Sequence, residues 1–272
     1  MNHSINVRGR LVELGRPVVM GILNATPDSF YEGSRKQTEL EIAERANQIM
    51  EEGGAIIDVG AFSTRPGAME VSEEEEMRRL RFALEIVRRE QPDAIVSVDT
   101  YRPLVARQCV EQWGADIVND VSEGGLTGIV NTPLHKKHDM FQTLASLRVP
   151  YILMSVRATM REMLLAFAQE IHALHEMGVK DIIIDPGFGF GKTLEQNYQL
   201  MSELEKLQVL GLPLLVGVSR KSMIYQLLGA TPSTALNGTT VLHTVALQKG
   251  ARILRVHDVR EAVETIKIVS KL

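Results

Sequence analysis

The stretch IIIDPGFGFGKT, residues 182–193, is an apolar run that ends on an aspartate and leads into a glycine-rich turn. A phosphate-binding Walker A loop would need a glycine at position 186, where Pro186 stands. A dinucleotide fingerprint would need the spacing Gly-x-Gly-x-x-Gly, whereas these glycines recur at every second position. The stretch therefore predicts a buried strand that presents Asp185 at its carboxyl end, followed by a tight turn that a flat ligand can approach. Phe188 and Phe190 are candidate walls for that ligand.

Similar short runs, rich in Val, Ile and Leu, recur along the rest of the chain. They are VVMGIL (18–23), AIIDVG (55–60), AIVSVD (94–99), ADIVND (115–120), YILMS (151–155), PLLVGVS (213–219) and RILRVH (252–257). Between most of them lie stretches with helical periodicity, such as SEEEEMRRLRFALEIVRRE (72–90). Buried strands that alternate with helices form parallel sheets, so eight such units predict an α/β fold, the (β/α)8 TIM barrel. An open doubly wound sheet is the structural alternative.

The segment NVRGRLVEL (6–14) precedes the first run and predicts an N-terminal hairpin or cap under the barrel. No low-complexity or Pro/Ser-rich linker interrupts the chain, so residues 1–272 are predicted to form a single domain. The opening residues, MNHSINVRGR, lack the apolar stretch of a signal peptide.

Composition excludes several classes of function. The formal net charge of -4 is too small to favour nucleic acid or an anionic membrane as a partner. No apolar run reaches the length of a membrane-spanning helix. The single cysteine, Cys109, cannot form an internal disulfide and fits a reducing compartment. These observations predict a cytoplasmic protein with small-molecule partners.

Nearly every predicted strand ends on a polar residue or a glycine. These ends are Asn24, Gly60, Asp99, Asn119-Asp120, Ser155, Asp185, Ser219 and His257. Any one of them is explained by the capping of the next helix. Eight together are hard to explain by capping, and they predict a functional site at the carboxyl ends of the strands.

Seven motifs in order identify the chain as similar to the dihydropteroate synthase family. They are MGILNATPDSF (20–30), STRPGA (63–68), SVDT (97–100), VNDV (118–121), DPGFGFGK (185–192), GVSRKSMI (217–224) and RVHDV (255–259). The resemblance implies a TIM barrel and an enzyme of folate biosynthesis. That enzyme joins 6-hydroxymethyl-7,8-dihydropterin pyrophosphate to 4-aminobenzoate and releases pyrophosphate.

The resemblance also implies which residues form the site. It assigns the pterin to Asp99, Asn119, Asp185 and Lys221, and the pyrophosphate to Asn24, Thr64, Arg65, Arg255 and His257. It assigns 4-aminobenzoate to Phe30, Pro66, Phe190 and Ser219, and Mg²⁺ to Asn24. It further implies a homodimer and inhibition by sulfonamides.

The chemistry of these residue types agrees with such a reaction. An ionised aspartate accepts two hydrogen bonds from an amino-pyrimidine edge, as Asp185 is placed to do. Because an aniline nucleophile is unprotonated at neutral pH, no strong base is needed, and no nucleophilic triad is evident. Departure of pyrophosphate would leave a cation that Asp99 and Asp185 stabilise, while Lys221 and Arg65 complete the predicted catalytic set.

Two stretches depart from the family pattern. Ser155-Val156 stands where the family usually has His-Met, and Ala61-Phe62 stands where Gly-Glu is common. Two alternatives stay open at this point. One is a methyltetrahydrofolate methyltransferase, which would not need Arg65, Arg255 and His257 for pyrophosphate. The other is a binding-only paralogue.

Overall fold

The computed structural model of the chain describes residues 3–25, 35–61, 71–124 and 139–272. The strands are β1 (Ser4–Val7), β2 (Arg10–Glu13), β3 (Val18–Asn24), β4 (Ile56–Gly60), β5 (Ile95–Asp99), β6 (Ile117–Asp120), β7 (Tyr151–Met154), β8 (Ile182–Asp185), β9 (Leu215–Val216) and β10 (Ile253–Val256). The helices are α1 (Arg35–Glu51), α2 (Glu73–Glu90), α3 (Pro103–Glu111), α4 (Asp139–Leu147), α5 (Met160–Glu176), α6 (Leu194–Ser202), α7 (Ser222–Leu228), α8 (Leu236–Gln248) and α9 (Val259–Val269). Two 3₁₀ segments, Leu204–Leu210 and Pro232–Thr234, complete the described elements.

Strands β3 to β10 form one parallel sheet that closes into a barrel. Its strand order is β8-β7-β6-β5-β4-β3-β10-β9. A parallel bridge between Ile184 and Leu214 joins the two ends of this order, and Ile184 N donates to Pro213 O at 3.0 Å. The predicted (β/α)8 barrel is therefore confirmed, and the open doubly wound sheet is wrong.

Strand β9 is shorter than the sequence predicts. Its ladder ends at Val216, because the chain turns at Val218, whose carbonyl accepts a hydrogen bond from Lys221 N at 3.1 Å. Ser219 therefore lies in this turn rather than on a strand. Ser155 and His257 likewise follow their strands by one residue.

Apolar side chains fill both faces of the barrel strands. One buried cluster lies between the barrel and its helices, and it includes Val59, Val98, Leu153, Ile184 and Val256. A second cluster fills the inside of the barrel near the amino ends of the strands. Its barrel members are Met20, Ile56, Ile117, Ile152, Ile183, Leu215 and Ile253. Burial on both faces explains why these strands read as continuous apolar runs.

The predicted N-terminal hairpin is confirmed and covers the amino ends of the strands. Ile5, Val7 and Leu14 belong to the inner apolar cluster. Arg8 then fixes the hairpin to the barrel, because its Nε and Nη2 donate to the two oxygens of Asp116 at 2.5 and 2.8 Å. Arg88 of α2 donates to the same carboxylate at 2.7 Å. A buried Asp116 thus joins the hairpin, α2 and the segment before β6.

Helix α2 begins directly after a serine cap. Ser72 is the N-cap, and its Oγ accepts from Glu75 N at 3.2 Å. Acidic residues occupy the first turn, where they interact favourably with the positive end of the helix dipole. Among the described residues, none of the helices combines the length and the apolarity needed to cross a bilayer.

We expect Asp116→Ala to lower the free energy of unfolding by about 2 kcal/mol, because it leaves two arginines without their shared carboxylate. This decrease in the free energy of unfolding is smaller than for the loss of a fully buried ion pair, since the Arg8 side chain is 45% exposed. Asp93→Ala is the matched control, because Asp93 is exposed and lies beside the same cluster. Urea unfolding of both variants checks this expectation, and equal midpoints would contradict it.

Candidate active site at the carboxyl ends of the barrel strands

Directly after the inner apolar cluster, the next inward-facing position on several strands is polar. Side chains two residues apart on a strand face the same side, so the residues after the apolar cluster also point into the barrel. The polar successors of Ile56, Ile117, Ile183 and Ile253 are Asp58, Asn119, Asp185 and Arg255. The alternation of the strands therefore places a polar layer directly above an apolar floor.

Arg255 lies at the centre of this polar layer. Its Nε donates to Asp58 Oδ2 at 2.6 Å, and its Nη2 donates to Asp99 Oδ2 at 2.7 Å. Asn119 Nδ2 donates to the same Asp58 oxygen at 3.2 Å. One guanidinium therefore links β10, β4 and β5, and an amide on β6 joins them. Asp58 Oδ1 and Asp99 Oδ1 have no hydrogen-bond partner among the described residues, so both are free to accept from a ligand.

Asp185 and Lys221 form the opposite side of the pocket. Asp185 is 6% exposed, and its Oδ1 accepts from Gly187 N at 2.8 Å. Lys221 Nζ donates to Phe188 O at 2.6 Å and lies 4.5 Å from the centre of the Phe190 ring. Lys221 is thus drawn inward by a carbonyl and an aromatic face. It is half-buried, so the alternative of an ordinary surface lysine is wrong.

Burial changes the ionisation of these groups. It raises the pKa of Asp99 to about 7, with the Asp58 carboxylate adding to the effect and Arg255 opposing it. Burial also raises the pKa of Asp185, against the attraction of Lys221. It lowers the pKa of Lys221 to about 8, against the attraction of Asp185. The pocket therefore contains several groups that can change charge near neutral pH, as is common in active sites.

His257 and Ser219 lie side by side at the rim. His257 Nδ1 and Ser219 Oγ are 3.1 Å apart, and the same hydroxyl accepts from His257 N at 3.1 Å. Burial, followed by the nearby charge of Arg255, lowers the pKa of His257 to about 4. The imidazole is therefore neutral at pH 7, and it can offer an anion a hydrogen bond but no positive charge.

The structure brings most predicted site residues together at one end of the barrel. This set comprises Asn24, Asp99, Asn119, Asp185, Phe190, Ser219, Lys221, Arg255 and His257. Phe30, Thr64, Arg65 and Pro66 lie outside the described residues. One expectation is wrong. Phe188 is fully buried in the outer apolar cluster and forms no ligand wall, because alternate residues of the turn point to opposite sides.

The surroundings of Asn24 decide whether it can hold a metal. Its side chain is exposed at the end of β3. A Cβ placed on Gly60 would be 3.7 Å from both Asn24 Oδ1 and Asp99 Oδ2, so these two oxygens share one region. Among the described residues no group of three acidic, His or Cys side chains could hold a metal. An amide beside one carboxylate fits Mg²⁺ only when phosphate oxygens of a substrate complete the ligand set.

Two residues of the site were not predicted from the sequence. Asp58 is fully buried and holds Arg255 and Asn119. Lys192 Nζ donates to the carbonyls of Gly187, Ser155 and Phe190 at 2.8, 3.1 and 3.2 Å, and so fixes the glycine-rich turn. The signal for Asp58 was present, because a charged residue inside a doubly buried strand is costly unless it is paired.

Comparison with known proteins agrees with this geometry. Residues 20–257 match the family of pterin binding enzymes. The chain is 38% identical to dihydropteroate synthase of Escherichia coli K12 over 96% of this chain and 94% of that protein. It is 40% identical to dihydropteroate synthase of Clostridium beijerinckii over 90% of each chain. The structure of Xanthomonas albilineans dihydropteroate synthase with 4-aminobenzoic acid superposes with a TM-score of 0.87 at 35% identity, covering 100% of this chain and 98% of that one.

We expect Arg255→Met to raise the pKa of Asp99 well above its present value, because Asp58 and Asp99 would then face each other without a cation. Carboxyl ¹³C NMR of the purified variant measures this change. Arg252→Met is the matched control, since Arg252 precedes β10 and donates to Gly15 O at the other end of the barrel. An unchanged titration of Asp99 in Arg255→Met would contradict the central role of this guanidinium.

Proposed function

This chain belongs to the dihydropteroate synthase family of pterin-binding enzymes, and on that premise we propose how its own residues carry out the reaction. The enzyme condenses 6-hydroxymethyl-7,8-dihydropterin pyrophosphate with 4-aminobenzoate, which gives 7,8-dihydropteroate and pyrophosphate in folate biosynthesis. Neither a methyltetrahydrofolate methyltransferase nor a binding-only paralogue is favoured by its relatives.

One observation supports the proposed mechanism above all others. Three carboxylates, an amide and two cations converge in one pocket, and two of the carboxylate oxygens have no partner among the described residues. Unpartnered buried acceptors are costly, so they favour a ligand rich in N–H donors. A pterin supplies such donors at several positions around its two rings.

In the proposed binding mode, Asp185 accepts hydrogen bonds from the amino-pyrimidine edge of the pterin. Asp99 and Asn119 contact other ring positions, and Lys221 donates to the ring carbonyl. The support for Lys221 is its placement, because its ammonium group already donates to one carbonyl inside the pocket. Phe190 covers one face of the site next to this ammonium.

We place the loss of pyrophosphate before the attack of 4-aminobenzoate. Breaking the bond between carbon and oxygen leaves positive charge on the pterinylmethyl group, and the pair of electrons departs with pyrophosphate. Asp99 and Asp185 stabilise that positive charge through fixed, water-poor electrostatics. The aniline nitrogen then forms the new bond to carbon and releases one proton. Since aniline is a neutral nucleophile, the chain needs no strong general base.

The pyrophosphate is proposed to bind at the rim of the pocket, near Asn24, Arg255 and His257, together with Thr64 and Arg65. Arg255 is largely occupied by Asp58 and Asp99, and only its Nη1 lacks a partner among the described residues. Neutral His257 contributes a hydrogen bond rather than a charge. Mg²⁺, held by Asn24 and phosphate oxygens, would neutralise charge on the leaving group.

The 4-aminobenzoate site is proposed to lie at the same rim, formed by Ser219 and Phe190 with Phe30 and Pro66. Xanthomonas albilineans and Yersinia pestis dihydropteroate synthases have been solved with 4-aminobenzoic acid and with a sulfonamide drug. Sulfonamides resemble 4-aminobenzoate in shape and charge, so we propose that they compete for this site.

We further propose that the enzyme acts in the cytoplasm as a homodimer. The buried, unpaired Cys109 is consistent with a reducing compartment. Large apolar side chains are exposed on two adjacent helices, at Leu227 and Leu228 of α7 and at Val241 of α8. A symmetric contact between two copies would cover such a surface.

The proposed function is tested directly with purified protein, the pterin pyrophosphate, 4-aminobenzoate and Mg²⁺. We expect pyrophosphate release that depends on every component, and we expect a chelator to abolish it. Quantification of the 7,8-dihydropteroate product by chromatography gives the rate, because this readout does not itself need Mg²⁺. No release above the uncatalysed rate would refute the function, whereas full activity in the presence of chelator would refute only the metal.

We expect Asp185→Asn to weaken pterin binding about 10- to 100-fold, because a charge-assisted hydrogen bond to the ring is lost. Isothermal calorimetry with 6-hydroxymethylpterin measures the affinity. Asp181→Asn is the matched control, because Asp181 precedes the same strand and accepts from Asn6 N at 2.9 Å, far from the pocket. Equal pterin affinity of the Asp185 variant and the wild type would show that another residue binds the amino-pyrimidine edge of the pterin.

A further inference from the structure

Two carboxylates are buried between β6, β7 and α5, outside the pocket described above. Glu123 is fully buried, and Glu170 of α5 is 5% exposed. The backbone at Glu123 has a φ of 54°, in the left-handed region that favours glycine. Both the strained backbone and the buried charge are costly, so specific contacts must offset them.

Glu123 fixes the segment that follows β7. Its Oε2 accepts from Val156 N at 2.7 Å, and its Oε1 accepts from Arg157 Nε at 2.8 Å. Arg157 N also donates to Ser155 Oγ at 3.2 Å. A side chain from the loop after β6 therefore anchors the backbone that follows β7.

The anchored segment contacts the turn that carries Asp185. Ser155 N donates to Asp185 O at 2.8 Å, and Lys192 Nζ bridges the carbonyls of Ser155 and Gly187. Gly187 N in turn donates to Asp185 Oδ1 at 2.8 Å. A Cβ on Gly187 would lie only 2.2 Å from Ser155 O, so the two backbones are in direct contact. A displacement of the backbone at Val156 would thus also shift the carboxylate of Asp185, which is proposed to bind the pterin.

Among the described residues, Glu123 has a salt-bridge partner and Glu170 has none. Arg157 neutralises Glu123, and Glu170 Oε2 has no hydrogen-bond partner among the described residues. Burial, together with the charge of Glu123 and a hydrogen bond to it, raises the pKa of Glu170 to about 9. Glu170 is therefore neutral at pH 7 and can donate to Glu123.

Other titratable groups face the same pair. Asp120 is fully buried beside it, and burial raises the pKa of that carboxyl, although Ser122 and Tyr151 donate to it. The negative charge of Asp120 opposes ionisation of Glu170 as well. Lys192 approaches Glu123 from the glycine-rich turn, and burial lowers the pKa of this lysine to about 8. None of these groups provides Glu170 with a cation of its own.

We propose that Glu123 and Glu170 form a positioning pair, in which Glu123 fixes the backbone at Val156 and through it the carboxylate of Asp185. Neither glutamate touches the reacting atoms. The inference rests on the proposed function, because it assumes that Asp185 binds the pterin.

Glu123→Gly tests this role in a variant that stays folded. Glycine adopts a φ of 54° without strain, which offsets part of the stability lost with the contacts to Val156 and Arg157, so we expect a lower melting temperature but a cooperative unfolding transition. We expect its affinity for 6-hydroxymethylpterin to fall about tenfold, because Val156 N and Arg157 lose their acceptor. An affinity equal to that of the wild type would overturn the proposal.

Glu170→Gln tests the shared proton, because glutamine keeps a neutral hydrogen-bond donor at every pH. Since burial raises the pKa of Glu170, the stability of its neutral form is complete at acid pH and is lost as the pH rises through about 9. We therefore expect the wild type to lose pterin affinity across this range more steeply than Glu170→Gln. Lys192 and Lys221 titrate nearby in both proteins, so the difference between the two profiles reports Glu170.

Infrared spectroscopy gives a readout that needs no ligand. The wild type minus Glu170→Gln difference spectrum at neutral pH should contain the carbonyl band of a protonated carboxyl group. Glu176→Gln, at an exposed position of the same helix, should leave that band unchanged. Coincident pH profiles or a missing band would overturn the proposal. A wild type that binds no pterin would instead refute the proposed function, while the band would still decide the state of the pair.

Discussion

The ion pairs of one buried guanidinium hold the mouth of this barrel together. Arg255 donates to Asp58 and to Asp99, so one side chain on β10 spans to β4 and β5. Burial alone would lower the pKa of Arg255, but the two carboxylates outweigh it and raise the pKa. Because the guanidinium stays charged, it keeps both aspartates in place, and Asn119 is then oriented by Asp58. The arrangement of the pocket therefore precedes ligand binding and does not depend on it.

Much of the fold and part of the site could be predicted from the sequence. Alternation of apolar runs with helical stretches specifies the barrel, because parallel strands buried on both faces need continuous apolar sequence. Residues at the carboxyl ends of such strands must share one rim, so Asp99, Asn119 and Asp185 could be assigned to it by position alone. Lys221 needed the family resemblance as well, because a lysine at a helix start has no unique direction in sequence.

Other features could not be predicted, and each has a physical reason. Asp58 lies inside a strand rather than at its end, and only its partner Arg255, distant in sequence, explains why a charge is tolerated there. The expectation for Phe188 was wrong because alternate side chains of the turn point to opposite sides, which the sequence does not show. Phe188 points into the outer apolar cluster rather than toward the pocket. The contact between Glu123 and Glu170 has no local signal, because a left-handed φ at a glutamate contradicts its own propensity and is imposed by tertiary contacts.

The apolar floor beneath the pocket explains why its charges act strongly. Met20, Ile56, Ile183 and Ile253 fill the barrel directly below the polar layer, and the hairpin residue Ile5 seals them from water. A dry floor lowers the local dielectric, which strengthens each charge interaction above it and also raises the cost of leaving a charge unpaired. This is why burial is the largest cause of the raised pKa at Asp99 and at Asp185. A positively charged group that develops in the pocket would relieve that cost, so the hairpin supports the chemistry from the far end of the barrel.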